Sequence, residues 1–153
     1  WPDPAGPTPL AAALRGWLGR LDDLMAGLRP LLPGRSALSG VSAREPPMAS
    51  CYPPGARYIR HYDNNCEAGQ VGDCSGRRLT AVYYLTDVNS DEDGGHLRLV
   101  GRRGRLYDVR PALDALVLFW ADRRTPHEVL RNTGTAERFA LSCWYVDLSE
   151  APD

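Results

Sequence analysis

The sequence predicts a mainly β domain, a sandwich or jelly roll with an N-terminal buttressing α-helix, and three observations carry that expectation. One stretch of helical periodicity lies near the start. Seven short segments rich in β-branched and aromatic residues follow it, and turn-forming stretches divide them. One helix ahead of seven or eight strands points to two packed β layers with a helical cover.

The 153 residues amount to a single domain, 1–153, with one substantial core. Because the chain opens at Trp1 rather than Met, it is expected to be an excised segment of a longer protein. With 43% apolar and 24% charged residues it has the composition of a soluble globular protein. No apolar run approaches the ~20 residues of a membrane span. A formal net charge of −1 gives no argument for a nucleic-acid partner. All 18 basic residues are arginine, so a Schiff base, a catalytic ammonium or a lysine anion anchor is excluded from this chain.

The helix is read from Leu10, Leu14, Trp17, Leu18, Leu21, Leu24, Met25 and Leu28, which recur at three- and four-residue spacing. Thr8 is placed to cap it and Pro9 to occupy its first position, after an extended stretch over 1–9. Gly27 and Pro30 mark its end, and it is expected to cover one face of a sheet. Residues 33–47, with Gly34, Gly40, Pro46 and Pro47, read as loop with at most a short edge strand.

Strands are expected over 48–52, 58–63, 79–85, 96–100, 115–120, 127–130 and 138–146, with a fraying end from 149. The polar loop 64–76 and the acidic turn 87–95, which ends in Gly94-Gly95, are long enough to serve as substrate-contacting loops. The four cysteines, Cys51, Cys66, Cys74 and Cys143, match no Cys-x-x-Cys pattern. Cys66 and Cys74 could bridge across a short loop, but free thiols in a reducing compartment are the expectation.

The chemistry starts at His61-Tyr62-Asp63. In a strand, residues two apart share a face, so this imidazole and carboxylate converge. A third ligand from His96 or His127 would complete a 2-His-1-carboxylate facial triad, whose remaining positions suit a non-haem Fe(II) oxygenase. Pro126 fixes the backbone ahead of His127, a residue that could equally be a core histidine. His96 and Leu97, as strand neighbours, must face opposite ways, and spacing alone does not choose between the two histidines.

Along 138–146, alternation puts Arg138, Ala140, Ser142 and Trp144 on one face. A cation, a hydroxyl and an indole together suit a polar-ended pocket better than a dry core. A guanidinium inside a barrel needs an anion, because an unpaired buried charge is very costly. A small dicarboxylate would supply it through a two-pronged grip; the alternatives are a salt bridge to Glu137 or Asp147, or a surface position. Tyr52, Tyr58, Tyr83 and Tyr84 complete the polar aromatic set, and only one of the adjacent pair can face inwards.

Six blocks in order, Met48-Ala-Ser-Cys51-Tyr52-Pro53, Tyr58-Ile-Arg60-His61-Tyr62-Asp63-Asn64, Arg78-Leu-Thr80-Ala-Val82-Tyr83-Tyr84-Leu85, Gly94-Gly95-His96-Leu97-Arg98, 119–129 and 138–145, resemble one family. It is that of the oxygen-sensing prolyl hydroxylases acting on hypoxia-inducible factor, within the Fe(II)/2-oxoglutarate dioxygenases. The resemblance implies a double-stranded β-helix with His61, Asp63 and His127 on the iron. It implies that Arg138 holds the 5-carboxylate of 2-oxoglutarate, helped by Tyr84 and Tyr52, with Met48, Val82, Leu97 and Val129 lining that pocket and Ser142 near the iron. Tyr58, Arg77 and Trp144 match positions that contact the substrate prolyl segment. Collagen-type prolyl hydroxylases hold the 5-carboxylate with lysine, which this chain lacks, so the arginine-type branch is the better match.

The implied reaction is O2-dependent hydroxylation of a prolyl residue to 4-hydroxyproline, with succinate and CO2 as co-products and ascorbate as a candidate reductant. The implied setting is a monomer in the cytoplasm or nucleus, meeting a proline-containing protein or peptide and neither nucleic acid nor membrane. Departures from the family pattern leave the substrate open: the 52–58 connection is shorter, 64–76 and 127–138 are longer, and the usual first strands and C-terminal helix are not matched. The alternatives are the same chemistry on another protein residue or a small molecule, or a non-catalytic jelly-roll binding module.

Overall fold

The structure is a computed structural model that describes residues 8–32, 38–64, 74–87 and 90–149. Contacts divide the chain into two compact units, Trp1–Ser39 and Gly40–Asp153. Most of the 64–76 loop, parts of the stretches 1–9, 33–47 and 87–95, and all but one residue of the end from 149 lie outside the described residues.

The first unit contains helix α1, Pro9–Leu28. Its start follows from local chemistry: Thr8 is extended and its Oγ1 accepts from the Ala11 N–H at 3.2 Å, while Pro9 needs no partner for the N–H it lacks. Leu18, Leu21 and Met25 are buried at helical spacing with Ala11. Leu10 and Leu24 depart from the expected stripe, at 79% and 40% exposure. The helix ends at Leu28, between Gly27 and Pro30 as expected. The Arg29 N–H still bonds the Met25 carbonyl, and the chain leaves through a 3-10 turn, Arg29–Leu31, that contains Pro30.

The second unit carries nine strands among its described residues: β1 Ala43–Arg44, β2 Met48–Tyr52, β3 Tyr58–His61, β4 Arg77–Tyr84, β5 Leu97–Val100, β6 Leu106–Val109, β7 Leu116–Trp120, β8 His127–Val129 and β9 Arg138–Val146. All pairings are antiparallel and form two sheets. One has the order β1-β9-β4-β7, with β2 also on β9; the other runs β3-β8-β5-β6. This is the jelly-roll type of fold expected from the sequence.

The first sheet is organised by β9, whose nine residues are long enough to pair with β2 and then β1 along one edge and with β4 along the other. Three side-chain layers result on its inner face: Tyr52 beside Arg138; Ser50, Ala140 and Tyr84; Met48, Ser142 and Val82. Thr80 and Trp144 form a fourth. The end of β2 is fixed by the fully buried Asn132, whose Nδ2 donates to the carbonyls of Tyr52 (2.9 Å) and Ala136 (2.8 Å).

Two sequence expectations are corrected here. Strand β3 ends at His61, so Asp63 lies in a bend and not in the strand. Strand β6 is additional; it is exposed at three of its four residues and so offers no apolar stripe to read. The free-thiol expectation also fails for Cys74, which is disulfide-bonded. Cys66 lies outside the described residues, while Cys51 and Cys143 are not disulfide-bonded. Among the described residues no helix is long and apolar enough to cross a membrane.

Candidate metal and anion site

His61 and His127 are cross-strand partners in β3 and β8, with ring centroids 4.3 Å apart. Each ring is oriented by its own local backbone. His61 Nδ1 lies 2.8 Å from the Ile59 carbonyl and His127 Nδ1 lies 3.1 Å from the Thr125 carbonyl. A carbonyl only accepts, so Nδ1 carries the proton in both rings and Nε2 keeps its lone pair. Phe119 packs its edge against His127 at 4.6 Å between centroids.

Asp63 reaches the same point by a different route. The bend after β3 is held by the Asn64 N–H bonding the Ala121 carbonyl (2.9 Å) and by Ser75 Oγ donating to the Asp63 carbonyl (3.2 Å). Its carboxylate then sits 3.4 Å from His61 Nε2 and 3.7 Å from His127 Nε2, while Thr80 Oγ1 donates to Oδ2 at 2.6 Å. The three donor atoms lie within 4.8 Å of one another. Two free imidazole lone pairs and one carboxylate, each with an outer hydrogen-bond partner, fit a divalent transition metal.

The electrostatics agree with that donor set. Burial works against ionisation of Asp63, but the adjoining His61 ring, the Thr80 hydrogen bond and the nearby His127 outweigh it and hold the carboxyl at about 2. The Trp144 indole N–H helps in the same direction without making a hydrogen bond of normal geometry. For His127, burial dominates and pushes the imidazole down, towards the neutral form that binds metals. Burial acts the same way on His61, but Asp63 and the Ile59 carbonyl reverse it and raise the value.

These groups line one cavity of about 520 Å³ that extends along β9 to Arg138. Arg138 is 5% exposed, and its Nη1 donates to the Gly95 carbonyl. Its Nε has no partner, and no carboxylate pairs with it among the described residues. Of the two acids that sequence offered it, Asp147 bonds Arg78 instead, at 3.2 Å. Burial pushes the guanidinium down, partly offset by Tyr84 and Tyr52. Burial likewise pushes Tyr84 up to about 12 and raises Tyr52, with the Arg138 charge acting against both rises. The result is a buried cation beside two hydroxyls that keep their protons.

Every residue that the resemblance assigned to the site lines this cavity: His61, Asp63 and His127; Arg138, Tyr84, Tyr52, Met48, Val82, Leu97, Val129 and Ser142; Tyr58, Arg77 and Trp144. Leu97 faces in, and His96 lines a separate surface hollow, which settles their parity. Tyr84 faces in, while the Tyr83 hydroxyl bonds Asp114 at 2.5 Å. Sequence reasoning missed Thr80 and Phe119. Thr80 shares its strand parity with Val82 and Tyr84, which the resemblance assigned to the pocket, so a signal for it was present.

Two antiparallel sheets enclosing a pair of imidazoles and a carboxylate next to a buried cation have the anatomy of a jelly-roll non-haem iron protein. The chain belongs to the 2OG-Fe(II) oxygenase superfamily, whose family model matches residues 47–146. It is 35% identical over 136 residues to human Egl nine homolog 1, covering 87% of this chain and 29% of that one. Over 113 residues it is 40% identical to human prolyl hydroxylase EGLN3, covering 72% of this chain and 44% of that protein. The chain thus spans less than half the length of these curated relatives. Among solved structures it is similar to a prolyl hydroxylase in complex with a hypoxia inducible factor oxygen degradation domain peptide fragment from Trichoplax adhaerens. That match has a TM-score of 0.76 at 34% identity, covering 95% of this chain and 61% of that one.

Proposed function

We propose that this chain is a single catalytic domain that hydroxylates a prolyl residue of a protein substrate, using Fe(II), 2-oxoglutarate and O2. The observation that carries the reading is the pairing, in one cavity, of a three-donor cluster with a buried arginine that has no carboxylate partner among the described residues. The names of its relatives, prolyl hydroxylases, support the substrate class.

His61, Asp63 and His127 hold the metal through Nε2, a carboxylate oxygen and Nε2. Bound Fe(II) supplies the coupling of O2 to oxidative decarboxylation of 2-oxoglutarate, giving succinate, CO2 and one oxygen atom for the proline C4–H bond. Arg138 binds the far carboxylate of the cosubstrate, which neutralises a charge otherwise buried alone. Tyr84 and Tyr52 stay protonated and donate to that carboxylate. Met48, Val82, Leu97 and Val129 give the pocket apolar walls that exclude water, and Ser142 offers a hydroxyl between the two ends. Tyr58, Arg77 and Trp144 form the wall met by the prolyl segment. The protein acts as a monomer in the cytoplasm or nucleus, without nucleic acid.

A panel of prolyl peptides incubated with Fe(II), 2-oxoglutarate and air tests this by mass spectrometry. The expected result is a gain of one oxygen on proline, abolished in His127→Ala. Unmodified prolines, with 2-oxoglutarate consumed in the presence of another substrate, would overturn it.

A further inference from the structure

Glu45 was not among the residues that sequence marked, yet the geometry at the cavity mouth gives it a role. Its N–H bonds the Trp144 carbonyl at 2.9 Å, which extends the β1 ladder and sets its side chain beside that indole. Its carboxylate accepts from Arg77 Nε at 2.7 Å and Nη2 at 2.6 Å, a two-pronged pair between half-buried side chains. The Arg77 guanidinium in turn lies 3.9 Å from the centre of the Trp144 ring. Strand β9 runs between β1 and β4, so an acid and a base from the flanking chains close over the tryptophan of the middle one.

Arg77 gets there through an irregularity. Regular alternation along β4 would put it on the face of Leu79 and Ala81, away from Thr80. The register shifts between Arg77 and Leu79, and that shift turns Arg77 to the cavity face.

We propose that Glu45 is a specificity-determining positioning residue. It holds Arg77 over Trp144 and cancels its charge, so that the mouth takes peptides neutral beside the reacting residue and does not select acidic ones. This rests on the peptide-oxygenase reading above. With Nε–H and one Nη2–H given to Glu45, Arg77 keeps its outer Nη edge for a peptide carbonyl, while the paired carboxylate offsets the charge that would otherwise draw a substrate acid.

Two prolyl peptides that differ only in Asp or Asn next to the proline test the role in wild type and Glu45→Gln. The expected result is an Asp/Asn ratio of kcat/KM near unity in wild type. In Glu45→Gln that ratio rises about three- to tenfold, carried by KM and diminished by salt. An unchanged ratio while both peptides gain oxygen overturns the role of Glu45 and leaves prolyl hydroxylation standing. If wild type hydroxylates neither peptide, prolyl hydroxylation fails by itself, and the role of Glu45 is read from equilibrium binding of the same peptides by fluorescence anisotropy. There, a rise in the Asp/Asn affinity ratio in Glu45→Gln supports it, and an unchanged ratio or no binding overturns it. Thermal midpoints of both proteins guard against a misfolded variant.

Discussion

Arg77 and Arg138 both reach into one cavity, but at the mouth Arg77 meets a carboxylate from its own chain, whereas at the floor Arg138 meets a backbone carbonyl and, among the described residues, no carboxylate. A cation whose counter-ion is built in is part of the architecture. One buried without a counter-ion holds its capacity for a ligand. The same side-chain chemistry is therefore spent on shape at one end and on binding at the other.

The largest effect that can break this contrast is at the floor. Arg138→Ala is expected to raise the KM for 2-oxoglutarate by roughly 100-fold, since charge-assisted hydrogen bonds are worth about 1.5–3 kcal/mol each. The thermal midpoint of the ligand-free protein should hold or rise, because a lone buried charge is removed. A fall of several degrees with little change in KM would show that Arg138 is structural.

Next comes Thr80→Val, which removes the hydroxyl on Asp63 and keeps the volume. Outer partners of metal ligands typically govern affinity by about 10- to 100-fold, so Mn(II) binding measured by calorimetry should weaken by about tenfold. Equal affinity would mean that the bend after β3 orients Asp63 unaided.

The smallest effect is a titration. Tyr84 lies at about 12 when folded, against 10.0 for the free side chain. Its contribution to stability is therefore full below pH 10 and is lost as pH rises towards 12. Tyrosinate absorbance should reveal a hydroxyl still largely protonated above pH 10 and half ionised only near 12. In Arg138→Ala it should ionise later still, since the arginine charge favours tyrosinate.

Sequence periodicity was sufficient for β2 and β9, which occupy the expected 48–52 and 138–146, and for the inner-face parity of Arg138, Ser142 and Trp144. Alternation works there because both strands are regular along one cavity wall. It failed where the backbone departs from regular geometry. Asp63 converges with His61 through a bend held by Asn64 and Ser75, not through strand alternation. Arg77 faces inwards only because of the register shift in β4. Strand β6 went unread because Leu106 and Tyr107 are exposed at 49% and 46%, so no buried stripe selects its residues. The pairing of Glu45 with Arg77 joins positions far apart in sequence and leaves no local trace.

The Gly94-Gly95 turn has a further consequence. Gly95 adopts a φ of 64°, its N–H bonds the Arg131 carbonyl at 2.8 Å, and a Cβ built there would overlap the Arg138 guanidinium. The bare α-carbon thus acts as a gauge block: it sets how far the arginine may extend before it meets main chain. Any L-residue at this position would both resist the backbone conformation and displace the cation, so cosubstrate selectivity could be retuned from a position that carries no functional group at all.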